Sequence, residues 1–263
     1  MHPYGKIVII TGASSGIGAA TARIFATAGA KVVLAARDQA RLQAVARDLP
    51  GQPLVVPTDV ANRAGIERLV ATTAAAFGGI DLVINNAGVG LAAPVATLSR
   101  DDFERTLAVD LLGPLALSQA ALPHLHRRGR GQLIFVSSVV GLRALPYLGG
   151  YAAAKAALDR LTESLRVELH GSGVAVTLVR PGTTRTAFAE HRLGGGRERR
   201  RVNARAATPE QVGRAILQAA IREPRVQYVA LADRLRIGLS LLVPRLTDWM
   251  LGRAFSWEGD NKL

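Results

Sequence analysis

The run Lys6-Ile7-Val8-Ile9-Ile10-Thr11-Gly12-Ala13-Ser14-Ser15-Gly16-Ile17-Gly18-Ala19-Ala20-Thr21 sets the architecture of the chain. Apolar, mostly β-branched residues fill positions 7–10, so a strand is expected over 6–11, buried on both faces. Glycines follow at 12, 16 and 18. Gly12 permits a tight turn, Gly16 lets the backbone approach a pyrophosphate, and Gly18 lets the next helix sit close to the sheet. That helix, expected to run through Ala28, would offer its free N–H groups and positive dipole end to phosphate. Ser14, Ser15 and Ile17 belong to the same turn and join the glycines as candidate cofactor contacts.

The same alternation continues along the chain. Further strands are expected at 31–36, 54–56, 81–85, 132–137, 174–179 and 226–230. Helices are expected at 39–49, 63–77, 101–126, 152–170 and 209–221, the third of these with Gly113-Pro114 inside it. Nearly continuous apolar strands separated by helices indicate a parallel sheet covered on both faces. The predicted fold is therefore α/β: a Rossmann-like, doubly wound parallel sheet of about seven strands with its crevice at the strand C-terminal ends. No repeat or Pro- or Ser-rich linker divides the chain, so residues 1–263 read as one dinucleotide-binding domain.

Composition narrows the function. Apolar residues make up 49% of the 263, enough for a substantial core, and there is no cysteine. A disulfide framework and a thiolate metal site are excluded, and a reducing, cytoplasmic setting fits. His124, His126 and His170 have no partners at metal-ligand spacing, so no metal is expected. The N-terminus runs straight into a strand without a leader pattern, and no uninterrupted apolar run is long enough to span a bilayer. The net charge is +13. Nucleic acid is not the expected partner, because the basic residues are scattered and their one dense cluster, at 197–205, has no interleaved aromatic side chains.

Two features point to chemistry. The second strand ends Val33-Leu34-Ala35-Ala36-Arg37. Ala36 stands where an acidic residue would favour NAD, and Arg37 suits a 2′-phosphate, so NADP(H) is the expected cofactor. Then Tyr151-Ala-Ala-Ala-Lys155 places a phenol and an ammonium four residues apart on one helix face. Only four of the 33 basic residues are lysine, so a compact point charge stands here in a chain that otherwise writes arginine. A phenol beside a fixed cation is expected to exchange protons more readily than free tyrosine.

Taken together, these motifs resemble the short-chain dehydrogenase/reductase family in its compact form. The matching pieces are Thr11-Gly12-x-x-x-Gly16-x-Gly18, Asp59-Val60, Asn85-Asn86-Ala87-Gly88, Ser137-Ser138, Tyr151-x-x-x-Lys155 and Pro181-Gly182-x-x-x-Thr186. The resemblance implies hydride transfer between nicotinamide and a ketone or secondary alcohol. It casts Tyr151 as general acid or base, and Lys155 as the group that binds the nicotinamide ribose and lowers the phenol pKa. Ser138, thirteen residues before Tyr151, would hold the substrate carbonyl, with Ser137 one position early. Asp59 and Val60 would meet adenine. Asn86, Ala87 and Gly88 would flank the cofactor, and Pro181, Gly182 and Thr186 would hold its carboxamide. A homodimer or homotetramer is implied as well. The chain departs from the family pattern at Val109-Asp110-Leu111, where Asn is usual. Asp110 could keep the main-chain carbonyl that serves the relay, and its carboxylate could either face Lys155 or turn away.

Two segments are left open. Residues 186–207 read as a lid over the substrate pocket, with the cluster at 197–205 either solvated or clamping an anionic substrate. Residues 231–263 form an apolar, arginine-studded extension divided by Pro244. A flap over the mouth, a subunit contact and a peripheral membrane contact all fit it.

Overall fold

This computed structural model describes residues 1–194 and 206–255. Seven strands, β1 (Ile7–Thr11), β2 (Lys31–Ala36), β3 (Leu54–Pro57), β4 (Leu82–Asn85), β5 (Gly131–Val136), β6 (Val174–Arg180) and β7 (Val226–Tyr228), form one sheet. All neighbouring pairs are parallel. Their order is β3-β2-β1-β4-β5-β6-β7. The chain grows outward from β1 in one direction, then returns and grows in the other. The reversal between β1 and β4 leaves a crevice at the strand C-termini, where ligands of such sheets bind.

The apolar strands look both ways. Ile7 and Ile9 enter one core with Val33, Leu133 and Leu178. Val8 and Ile10 enter the other with Leu34, Ile84 and Val179. The first core is closed by α3 (Arg63–Phe77), α5 (Gly113–Arg127) and α6 (Gly149–Glu168) through Leu69, Leu117 and Leu158. The second is closed by α1 (Gly16–Thr27), α2 (Gln39–Arg47) and α7 (Pro209–Arg222) through Phe25, Leu42 and Ile216. Each such side chain contributes about 1.5–3 kcal/mol by leaving water. Local signals set the helix ends. Asp38 accepts the Arg41 N–H at 3.0 Å, Asn62 accepts the Gly65 N–H at 3.2 Å, and Thr208 and Gln211 form a capping box.

The long helix expected over 101–126 is not uniform. It consists of α4 (Arg100–Leu107), a π-helical turn over Ala108–Leu112, and α5. Pro114 has no N–H to give the carbonyl of Asp110 four residues back, and the Gly113 N–H reaches Ala108 instead. Arg100–Arg127 is 28 residues long and contains an 18-residue window of mean hydropathy 1.2, long and apolar enough to cross a bilayer by composition alone. Here Leu117, Ala121 and Leu125 pack into the sheet core, and Asp110 is buried. Beyond β7, the divided apolar run forms two helices, α8 (Leu231–Leu242) and α9, which Pro244 opens (Pro244–Ala254).

Candidate active site

The β1–α1 turn lies at the head of the crevice. Gly12 and Gly16 adopt positive φ angles of 67° and 51°. A methyl on Gly18 would overlap the Gly12 carbonyl, with its carbon at 2.6 Å, and would sit 2.7 Å from Asn86 Nδ2. Ser15, in extended backbone, caps α1 without a side-chain hydrogen bond, and no acidic residue occupies the first turn. The N-terminal N–H groups of α1 thus keep their capacity for an anion. Ser14 is half-buried in the turn, and Ile17 packs against the second core. Asn86 stitches the neighbouring strand end to this turn. Its Nδ2 donates to Thr11 O at 2.8 Å, and the Asn86 and Ala87 N–H groups both donate to Thr11 Oγ1 at 3.0 Å.

The remaining nucleotide candidates ring the same crevice. Arg37 is exposed directly after β2. Asp59 Oδ1 accepts the Ala61 N–H at 3.0 Å, and the Val60 carbonyl lies where a Gly113 methyl would meet it at 2.7 Å. Thr186 sits over the glycine turn, 3.2 Å from the position of a Gly16 Cβ. Pro181 O accepts the Val139 N–H at 3.0 Å. Gly182 lies against Asp233 of α8, whose carboxyl carbon would be 2.8 Å from a Cβ there. A tight glycine cradle at a helix N-terminus without an acidic first turn suits a dinucleotide pyrophosphate.

The polar cluster stands beside Gly88. Lys155 Nζ and Asp110 Oδ2 form an ion pair at 3.1 Å, with both side chains almost wholly buried. Asp110 Oδ1 accepts the Val89 N–H at 2.7 Å, and Lys155 Nζ donates to Val136 O at 3.2 Å. Lys155 also lies 5.6 Å from the centre of the Tyr151 ring. Ser138 accepts the Val140 N–H at 3.3 Å, which leaves its own hydrogen to donate, and it stands near enough to Tyr151 to pull the phenol pKa down. A methyl on Gly88 would touch the Asp110 carboxylate at 3.4 Å and Lys155 Nζ at 3.6 Å. The four residues read as catalytic from sequence are therefore together, and the Asp110 carboxylate faces Lys155.

One electrostatic expectation is corrected. Lys155 does pull the Tyr151 pKa down, as the resemblance implies, but the expected net ease of proton exchange is not met: the phenol lies above its ordinary value. Burial raises it most. Lys155, Arg192 and Ser138 pull it down, and the Asp110 carboxylate pushes it up again. Burial alone would lower the Lys155 pKa, but Asp110, Tyr151 and Asp159 hold the ammonium above its ordinary value. Burial keeps the Asp110 carboxyl above the usual carboxylate range despite the pull of Lys155 and the Val89 N–H.

Asp159, Arg180 and Phe188 near the cluster were not singled out from the sequence. Ser137 Oγ donates to Asp159 Oδ1 at 2.6 Å, and Asp159 pairs with buried Arg180 at 2.7 Å. Arg180 reaches the Tyr228 hydroxyl at 3.3 Å. This chain locks α6 to β6 and β7 behind the cluster, and Ser137 belongs to it. Its signal was an arginine ending an otherwise apolar strand. Phe188 packs 6.0 Å from the Tyr151 ring. The start of the lid is pinned: the Leu193 N–H donates to Gly90 O at 2.8 Å and Leu193 O accepts from the Ala92 N–H at 3.0 Å. Its far end is pinned by Ala207, whose N–H donates to Thr183 O at 2.9 Å. The basic cluster at 197–205 and the end of the extension, 256–263, lie outside the described residues. Among the described residues no group of three or more His, Cys, Asp or Glu could hold a metal.

This sheet, glycine turn and crevice are those of the dinucleotide-binding doubly wound fold. The short chain dehydrogenase family profile matches residues 6–193. The Dehydrogenase/reductase SDR family protein 7-like of Drosophila melanogaster is 34% identical over 98% of this chain and 83% of its own length. An uncharacterized oxidoreductase of Staphylococcus aureus is 39% identical over 70% of this chain and 80% of its own. Among solved structures, a short chain dehydrogenase/reductase from Burkholderia phymatum in complex with NAD superposes with a TM-score of 0.85. It is 26% identical, with 94% of this chain and 96% of that one covered. An alcohol dehydrogenase from Thermococcus sibiricus complexed with 5-hydroxy-NADP superposes with a TM-score of 0.74 at 30% identity, over 85% of this chain and 94% of that one. The chain belongs to the short-chain dehydrogenase/reductase family.

Proposed function

We propose that this protein is an NADP(H)-dependent oxidoreductase that interconverts a ketone and a secondary alcohol, with Tyr151 as the proton-transferring group. The observation that carries the reading is the convergence of Ser138, Tyr151, Lys155 and Asp110 beside Gly88. The preference for NADP(H) is supported by exposed Arg37 at the end of β2, where Ala36 leaves no carboxylate to repel a 2′-phosphate.

The nicotinamide, when bound, supplies or accepts hydride at the carbonyl carbon. Hydride arrival leaves negative charge on the carbonyl oxygen, and hydroxyl donors aimed at that oxygen stabilise it. Ser138, with its own hydrogen free to donate, holds the oxygen. Tyr151 Oη delivers the proton in reduction and removes it in oxidation. The phenol's high pKa keeps it protonated and ready to act as an acid at neutral pH. Lys155 donates to Val136 O and faces the Asp110 carboxylate as an ion pair, which leaves donor capacity on its ammonium for a ribose hydroxyl. Asp110 acts as a positioning residue, holding Lys155 and the Val89 backbone in one arrangement. Exposed Phe188, packed beside the Tyr151 ring, favours an apolar carbonyl compound.

A panel of carbonyls and alcohols followed by cofactor absorbance, run with both nicotinamide cofactors, tests the proposal. Turnover with NADPH at least about tenfold above NADH is expected, and Tyr151→Phe should abolish it while leaving NADPH affinity within about twofold. Tight NADPH binding without turnover on any member would instead assign a regulatory, non-catalytic role. Preference for NADH would reject the part given to Arg37.

A further inference from the structure

The C-terminal hairpin is amphipathic with its apolar side outward. In α8, Leu231, Leu235, Leu239 and Leu242 fall on one face at helical spacing and are 62–80% exposed. In α9, Leu246, Trp249 and Met250 form a matching stripe, each more than half exposed. The inward positions are less apolar: Asp233, Ser240 and Thr247 are half-buried there beside Ile237 and Leu251. An ordinary surface helix does the reverse, so these helices are not built to face water.

The hairpin has a defined seat. Asp233 lies on Gly182, Arg143 of the core pairs with Asp248 of α9, and Phe255 stacks 6.5 Å from Tyr147, four residues before Tyr151. Both helices therefore frame the mouth of the crevice, with their leucine face turned away from it.

Charge identifies the occupant. Residues 231–255 carry four arginines and two aspartates. Both aspartates are already paired, Asp233 with Arg236 and Asp248 with Arg143. Arg253 lies 5.0 Å over the Trp249 ring, a cation and an indole together at the edge of the apolar stripe. Arg245 stands exposed at the head of α9. A two-fold contact between copies would bring the same cations face to face. A surface that is apolar below and anionic above satisfies both halves of the pattern.

We infer that α8 and α9 form a docking surface for an anionic lipid bilayer. The leucine stripe enters the acyl boundary, Trp249 sits at headgroup level, and Arg245 and Arg253 meet lipid phosphates. The crevice mouth is thereby held beside the membrane.

Vesicle flotation with the full chain tests this and needs no turnover. Vesicles of phosphatidylcholine with about a third phosphatidylglycerol should carry the protein up the gradient. Partition should fall more than about tenfold on phosphatidylcholine alone, or in about 1 M salt, where charges are screened beyond about 3 Å. The variant L235Q/L239Q/L242Q should lose more than about tenfold on the anionic vesicles, with its thermal unfolding and NADPH affinity unchanged. R245Q/R253Q should lose the preference for anionic over neutral vesicles. No flotation of the natural chain, or equal flotation of the leucine variant, overturns the inference. So does a sedimentation-equilibrium result in which the natural chain self-associates and the leucine variant is monomeric, since that assigns the face to a second copy.

Discussion

Lys155→Met takes one member out of a buried ion pair while keeping most of its bulk. Lys155 and Asp110 face each other at 3.1 Å with almost no exposure. While the pair is intact, attraction and desolvation largely offset each other. Without the ammonium, the Asp110 carboxylate keeps only the Val89 N–H at 2.7 Å in an otherwise buried setting. Leaving such a charge uncompensated costs about 3–5 kcal/mol, a large part of the roughly 5–15 kcal/mol that holds a folded domain together. The deficit should depend on pH, with a definite sign. Burial already holds the Asp110 carboxyl above the ordinary range, and Lys155 is the main group pulling it down. In the variant it rises further. A carboxyl raised in the folded state contributes fully below its unfolded pKa, about 4, and that contribution is lost as pH rises through the folded value. The variant should therefore lie closest to the natural protein in acid and fall behind toward neutral pH. Asp110→Asn in the same background removes the stranded charge and should recover about half of the loss or more. Urea unfolding followed by circular dichroism, at constant m-value, reads these differences. A single-variant cost below about 1 kcal/mol at neutral pH, or a double variant whose cost equals the sum of the two singles, would refute the pairing.

Gly18→Ala should force α1 away from the glycine turn, because its methyl would lie 2.6 Å from the Gly12 carbonyl carbon. About 1–3 kcal/mol of stability and most NADPH affinity should go, by urea midpoint and calorimetric titration; unchanged affinity would count against the cradle. Asp110→Asn alone removes a negative charge that raises the Tyr151 pKa. The pH profile of alcohol oxidation, which needs the phenolate, should shift to lower pH, as should the alkaline decline of carbonyl reduction; a shift the other way would contradict the assigned sign. The two serines should separate. Ser138→Ala should remove at least about a hundredfold of kcat with normal stability. Ser137→Ala should keep turnover and lose about 1–3 kcal/mol, because Asp159 Oδ1 is left unpaired.

The strand and helix order was legible because each strand is apolar on both faces, a pattern that only a doubly covered sheet requires. Arg63–Phe77 and Lys31–Ala36 fall where their sequence puts them. Boundaries moved by about two residues in both directions: β6 continues to Arg180, whereas α2 stops at Arg47 and β7 at Tyr228, short of the expected 49 and 230. The Arg180 guanidinium could enter because Asp159 waits inside. The site residues were legible as types at spacings, yet the direction in which Asp110 points was not. That orientation follows from the Val89 N–H and the π-helical turn, which are tertiary facts. The rise of the Tyr151 pKa was missed for a related reason. A sequence shows the cation four residues away, but not how deeply the phenol is desolvated or that a carboxylate stands opposite. The extension read as apolar and basic, but which residues face outward depends on the seating of Asp233 and Phe255.

The proline after the π-helical turn makes two traits of position 110 independent. Pro114 withholds a helical donor from the carbonyl of residue 110 whatever side chain that residue bears. The backbone acceptor is thus inherited from residue 114, and only the charge beside the lysine is chosen at 110. A lineage could trade carboxamide for carboxylate here and retune its proton chemistry without rebuilding the scaffold. A saturation library at 110 with proline held at 114 would explore that same axis.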